Sequence, residues 1–188
     1  AHFVPPLTIG PVVVASLRPV TDLPLHAHLM IEHPEALFDD FAEAGTNVVT
    51  FHIEAAPDPA AVVAASRERG MRAGIAVNPE TRVDSVNPYL EELDNVIVMT
   101  LAQTGFAGQP FQESSLRKVE AVRNEIDRRG LSVDVIVDGG INEESGRRCI
   151  GAGATVLAAA SSIFKAPDVA EAARRLAEVA RAEGGPET

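Results

Sequence analysis

The residues Val133-Asp-Val-Ile-Val-Asp138 form a β-branched run that ends on an acid, and Gly139-Gly140-Ile141-Asn142 follow it directly. A strand of that composition is buried on both faces of a parallel sheet. Asp138 therefore falls at the strand's carboxyl end, where a carboxylate can take or return a proton. The two glycines let backbone amides come close to a bound anion. Gly105-Phe106-Ala107-Gly108 is a second glycine-flanked segment, able to fold over a ligand, although either glycine alone serves equally well as a turn. His28 lies at the carboxyl end of another apolar run, and His26, two residues earlier, shares its face. Cys149 is the single cysteine; on its helical pattern it reads as a small core residue rather than a nucleophile.

These candidates need elements to hold them. Short β-rich runs bounded by Gly, Pro or Asn predict six strands at 25–30, 47–52, 72–77, 96–100, 133–137 and 155–159. Helical spacing predicts helices over 34–44, 59–69, 114–129, 143–152 and 169–183. Leu37, Phe38 and Phe41 mark the inner face of the first, and Leu116, Val119, Val122 and Ile126 that of the third. Proline near a helix start and glycine at its end give the expected punctuation. Strand and helix alternating without a break imply a parallel sheet, and the even spacing favours a barrel over an open doubly wound sheet.

The 188 residues make room for one domain with a sizeable core, and 46% hydrophobic residues without a membrane-length apolar run exclude a spanning protein. A formal charge of -11 argues against nucleic acid or an anionic membrane as partner. A lone cysteine fits a reducing cytoplasm.

The ordered segments His2-Phe-Val-Pro-Pro-Leu-Thr-Ile-Gly-Pro11, His28-Leu-Met-Ile31, Gly105-Phe-Ala-Gly-Gln109, Asp138-Gly-Gly-Ile-Asn142 and Ser161-Ser-Ile-Phe164 resemble the ribulose-phosphate 3-epimerase family along essentially the whole chain. The resemblance implies a (β/α)8 barrel over residues 1–188, with six of the eight strands present, and interconversion of ribulose 5-phosphate and xylulose 5-phosphate through an enediolate. It implies one divalent metal ion (zinc, iron(II), manganese or cobalt) held by two His and two Asp. Carried over to this chain, His28 is a metal ligand, and Asp138 is both a ligand and the acid/base on one face of the carbon. Met30 and Met99 line the reactive end of the substrate, a role no easier to read from sequence than that of core methionine. Gly105, Phe106, Ala107 and Gly108 form a flap, while Gly139, Gly140, Ala160 and Ser161 hold the phosphate. A sugar phosphate partner and a homo-oligomer are implied as well.

The chain also departs from the family pattern. It starts beyond the family's first strand, first helix and second strand, so a His and an Asp of the metal site, the opposite-face acid/base and a serine are expected to be missing. The open edges at 25–30 and 155–159 are expected to be sticky. Thr104 stands where a proline is usual, Ala107 and Ala160 replace glycines, and His26 replaces an aspartate. His26 reads as a buried neutral histidine or an added ligand. These departures leave open a divergent phosphosugar-binding paralogue, or an epimerase or lyase acting on another sugar phosphate.

Overall fold

A computed structural model describes residues 3–5 and 8–182. His2 and two residues of the Phe3–Pro11 motif lie outside the described residues, as do 183–188. Six strands make one sheet in chain order: β1 His26–Leu29, β2 Val48–His52, β3 Arg72–Val77, β4 Asn95–Met99, β5 Asp134–Asp138 and β6 Val156–Ala158. Every neighbouring pair is parallel. Helices α1 Pro11–Leu17, α2 Phe38–Glu43, α3 Pro59–Glu68, α4 Leu116–Arg129, α5 Glu143–Gly151, α6 Ser161–Phe164 and α7 Val169–Ala182 connect or follow the strands.

The sheet is curled. Neighbouring strands lie about 4.8 Å apart, so in a flat sheet β1 and β5 would be roughly 19 Å from each other. Instead His28 of β1 touches Asp138 of β5 at 3.1 Å. The curl divides each strand's side chains into two sets by the period of two. Val49, Phe51, Ile75, Val77, Val96, Val98, Val135 and Val137 belong to the large core that includes Val63 of α3, Val119, Val122 and Ile126 of α4, and Cys149 of α5. Ala76, Ile97, Met99 and Ile136 face the other way and form a small lumenal cluster with Leu101, against which Met30 and Ala158 pack. Below it runs a polar layer: Thr50 Oγ1 donates to Asn95 Oδ1 at 2.8 Å. Gly74 makes that bond possible, because a Cβ there would lie 2.1 Å from Asn95 Oδ1 and 2.5 Å from Thr50 Oγ1.

All six expected strands are present, within a residue or two of the expected bounds. The helices need three corrections. The expected helix over 34–44 is split into a 3-10 turn at Pro34–Leu37 and the short α2, whose Phe38 and Phe41 are buried. The one expected to begin at 114 enters through a 3-10 turn at Glu113–Ser115. Helices α1 and α6 were not expected. Pro11 at the first position starts α1 despite three valines after it. At its other end α4 follows expectation, with Gly130 in the left-handed conformation after Arg129. Among the described residues, no helix is long and apolar enough to cross a membrane.

Candidate active site

The carboxyl ends of the strands gather the chemistry. Asp138 ends β5, partly exposed, with its Oδ2 3.1 Å from His28 Nδ1. The turn beyond it is tightly built: Gly139 and Gly140 have φ of +122° and +67°, which favour glycine. Their surroundings leave no room for a side chain either. A Cβ on Gly139 would lie 2.5 Å from Leu101 Cγ, and one on Gly140 2.5 Å from the backbone nitrogen of Phe111. Thr100 Oγ1 donates to Gly139 O at 2.6 Å, and Ser145 Oγ donates to Gly140 O at 3.0 Å. Asn142 then caps α5 by accepting from the Glu144 and Ser145 amides. The Asp138 backbone is thereby fixed by the strand before it and the cap after it.

On the far side of the turn, Ser162 Oγ donates to Ile141 O at 2.7 Å, which holds the 160–162 segment against the Asp138 loop. Ser161 begins α6, and the exposed Ala160 precedes it. Met99 is buried at the end of β4, opposite Asp138 in register, and Met30 lies half-buried just after β1. The flap is tied by Gln109, whose amide accepts from Gln103 N at 3.0 Å and donates to Gln103 O and Phe106 O at 2.6 and 2.8 Å. Ala107 and Gly108 are exposed at its tip, and Gly105 packs towards Val4. Thr104 Oγ1 donates to Asn78 Oδ1 at 2.6 Å, a tie that proline could not make. A cleft of about 210 Å³ opens just before this flap, lined by Phe3, Val4 and Pro5 on one stretch of chain, Asn78 and Glu80 on another, and Ala102, Gln103 and Thr104 on a third.

His26 is half as expected. The residue is exposed along the edge strand, but its ring turns inward, with Nε2 2.7 Å from the buried Thr50 Oγ1. Desolvation together with the charge of His28 lowers its pKa to about 4, so it is a neutral histidine that does not join His28 and Asp138 through a hydrogen bond. The residues that do join them are His52 and Glu54, which were not among the expected site residues. His52 Nε2 is 2.9 Å from His28 Nε2, and His52 Nδ1 is 3.2 Å from Glu54 Oε2. The signal was in the pattern Val49-Thr50-Phe51-His52-Ile53-Glu54, where apolar and polar residues alternate strictly. In a strand this places Thr50 and His52 on one face, with Glu54 just past the strand's end.

Burial lowers the pKa of His52; its bond to Glu54 acts the other way and the charge of His28 with burial. Burial also opposes ionisation of Glu54, but bonds from His52, Thr81 and the Asn78 amide outweigh it and bring that carboxyl down to about 2. Cys149 is buried, and desolvation pushes its thiol up to about 12, against the pull of Arg148.

A curled parallel sheet with helices outside and polar groups at the strands' carboxyl ends defines the class of (β/α)-barrel enzymes. Solved structures of that class superpose on the chain. KGPDC from Streptococcus mutans in complex with D-R5P matches with a TM-score of 0.74 over 92% of this chain and 80% of that one, at 19% identity. The 3-keto-L-gulonate-6-phosphate decarboxylase of Vibrio cholerae matches with a TM-score of 0.71 at 16% identity, over 93% of this chain and 80% of that one. At such identities the likeness concerns the fold alone. Sequence comparison is more specific: the Ribulose-phosphate 3 epimerase family profile matches residues 1–164. The chain belongs to that family, one of isomerases. Ribulose-phosphate 3-epimerase of Bacillus subtilis is 42% identical over 89% of this chain and 77% of its own length. That of Mycobacterium bovis is 42% identical over 93% and 76%.

Proposed function

We propose that the chain serves the interconversion of ribulose 5-phosphate and xylulose 5-phosphate, with inversion at C3 through an enediolate. The observation that carries this reading is the Asp138 carboxylate at the end of β5, set against His28 and followed by the Gly139-Gly140 turn. Asp138 takes the C3 proton on one face and returns it there in the reverse direction. Removal of that proton leaves the negative charge on the substrate's oxygens, which polar groups of the site must stabilise. Inversion needs a second acid on the opposite face, and we assign that role to no described residue. Met30 and Met99 line the reactive end of the sugar. Gly105, Phe106, Ala107 and Gly108 cover it, and Gly139, Gly140, Ala160 and Ser161 receive the phosphate through backbone amides, which suits an acidic protein.

A divalent ion, if bound, would supply a Lewis acid for the enediolate oxygens. His28 and Asp138 are the two donors we propose for it. A catalytic centre takes about three protein donors, and among the described residues no group of three or more His, Cys, Asp or Glu could hold a metal. The described residues thus do not fit a metal centre by themselves, and the proton transfers above use the chain's own groups. We further propose a reducing cytoplasm as the setting and a homo-oligomer as the assembly. Ala107 and Ala160, in place of glycines, favour as a second reading a related sugar phosphate as substrate.

The test is exchange of the C3 proton in deuterated water, followed by NMR with ribulose 5-phosphate and then with other ketose phosphates. Exchange and formation of xylulose 5-phosphate are expected. Exchange with a different ketose phosphate alone selects the second reading, and exchange with none leaves a phosphosugar-binding paralogue.

A further inference from the structure

The polar side chains beside Asp138 form a continuous line: Asp138, His28, His52, Glu54 and the backbone amide of Asn78. We propose that His52 and Glu54 are positioning residues that fix the His28 ring with a proton on Nε2, so that Nδ1 is the nitrogen presented to Asp138. This deepens the epimerase reading, and rests on it only for the effect on rate.

The wiring starts from an invariable donor. The Asn78 N–H donates to Glu54 Oε1 at 2.9 Å. Its loop is itself anchored, because the Lys118 ammonium donates to the carbonyls of Asn78, Pro79 and Thr81. The other carboxylate oxygen, Oε2, faces His52 Nδ1 at 3.2 Å. A carboxylate only accepts hydrogen bonds, so His52 Nδ1 carries the proton. His52 is fully buried, a setting that favours the neutral ring with a single N–H. Its Nε2 is then a lone pair, and the His28 Nε2 that faces it at 2.9 Å must donate.

Ring geometry agrees. The two imidazole planes differ by 12° with centroids 5.0 Å apart. Because the nitrogens are much closer than the centroids, the rings meet edge to edge in nearly one plane, as an in-line hydrogen bond requires, rather than face to face. Phe3 closes the other side of His52, with ring centroids 4.8 Å apart. His28 Nδ1 is left facing Asp138 Oδ2, the atom assigned to proton transfer. Since a carboxylate only accepts, this nitrogen too must donate while Asp138 is ionised: the three hydrogen bonds between the two carboxylates take three N–H groups on the two rings. A ligand histidine or general base needs its second nitrogen held by such a partner to keep one tautomer and one orientation.

Glu54→Gln tests this because it keeps the shape and reverses one donor. The Asn78 N–H claims the remaining amide oxygen, so the new N–H group points at His52 Nδ1. That nitrogen must then accept, the His52 proton moves to Nε2, and His28 Nε2 becomes the lone pair. Ring 15N–1H correlation spectra of the unliganded full chain read the change directly, with assignments from His26→Gln and His33→Gln. The expected result is a protonated His28 Nε2 in the wild type and an unprotonated one in Glu54→Gln. An unprotonated His28 Nε2 in the wild type overturns the inference by itself, so the test stands even if the variant does not fold. A folded Glu54→Gln that keeps the proton on His28 Nε2 overturns it as well.

The rate gives a second readout. A fall in kcat of roughly 10- to 100-fold with little change in KM is expected for losing such a partner, and an unchanged kcat despite the tautomer switch removes the positioning role. A proton switch between wild type and Glu54→Gln in a protein whose wild type epimerises nothing would sink the proposed function and leave the wiring intact.

Discussion

The middle of the sheet and its two edges differ in how complete they are. Strands β2 and β4 are buried at every position, and β3 at all but its first. β1 has one buried residue and β6 has none. Neither edge strand has a second partner among the described residues. Apart from Phe106 on the flap, the large exposed apolar side chains among the described residues fall before β1 in the chain, as Val12, Val20 and Leu23 do, or at and after β6, as Val156, Phe164 and Val169 do. The site bridges the two regions, with Asp138 carried by the packed middle and His28 by an edge. The middle therefore sets where the chemistry sits, and the edges set how firmly its second residue is held.

The largest effect expected is chemical. Asp138→Asn keeps the shape of the β5 tip and removes its acid/base function, so C3 proton exchange should fall by several orders of magnitude while sugar-phosphate binding persists. NMR exchange and calorimetric titration measure the two separately. Undiminished exchange would show that the packed side of the site is not where the proton moves.

Next come two substitutions that compare middle with edge directly. Phe51 is fully buried in β2, and Phe51→Ala should cost about 3–5 kcal/mol in a denaturant titration. Phe164 is 73% exposed after β6, and Phe164→Ser should change stability by less than about 0.5 kcal/mol. Sedimentation should nonetheless show weaker self-association for Phe164→Ser, because an unpaired edge with apolar neighbours is adhesive. Equal stability losses at the two sites would erase the contrast between middle and edge.

Gly140→Val places a branched side chain at positive φ and against the Phe111 backbone. A loss of about 2 kcal/mol or more is expected from strain and overpacking together. Pentose phosphate binding should fall further than in Lys165→Ala, which removes a charge near the flap but no backbone amide. If Lys165→Ala abolishes binding and Gly140→Val does not, the phosphate is held by a side chain instead.

How much of this could be read from sequence follows the same division. The buried strands were legible because β-branched runs such as Val133 to Val137 have few other uses, and α4 because Val119, Val122 and Ile126 repeat with the helical period. Asp138 was legible because an acid followed by two glycines interrupts such a run. Helix α1 was not, since three successive valines oppose helix propensity and only Pro11 and packing of Val14 favour it. His26 was legible as a neutral histidine, because alternation with His28 turns its ring inward, but its residue exposure was not, since that depends on what lies beyond the edge, which local pattern does not encode. His52 and Glu54 were overlooked although their alternation was visible, since their importance comes from a contact with a residue on another strand.

The smallest effect concerns Cys149, which tests how tightly the packed side is closed. The residue lies on α5 with no exposed surface, about two turns beyond the Asn142 cap that continues the Asp138 turn. Thiols react as thiolates, and with its pKa pushed up to about 12 by desolvation Cys149 is almost wholly protonated at neutral pH. In the folded chain a thiol reagent at neutral pH should label it only as fast as α5 opens, and in denaturant labelling should be immediate. The same opening frees the Asn142 cap, so Asn142→Ala, which removes two accepted amide bonds, should speed labelling by about the factor that corresponds to losing roughly 1 kcal/mol of cap stability. Labelling in the folded state that is fast and indifferent to Asn142→Ala would mean that α5 is loose on the sheet, and that the Asp138 turn is fixed from the strand side alone.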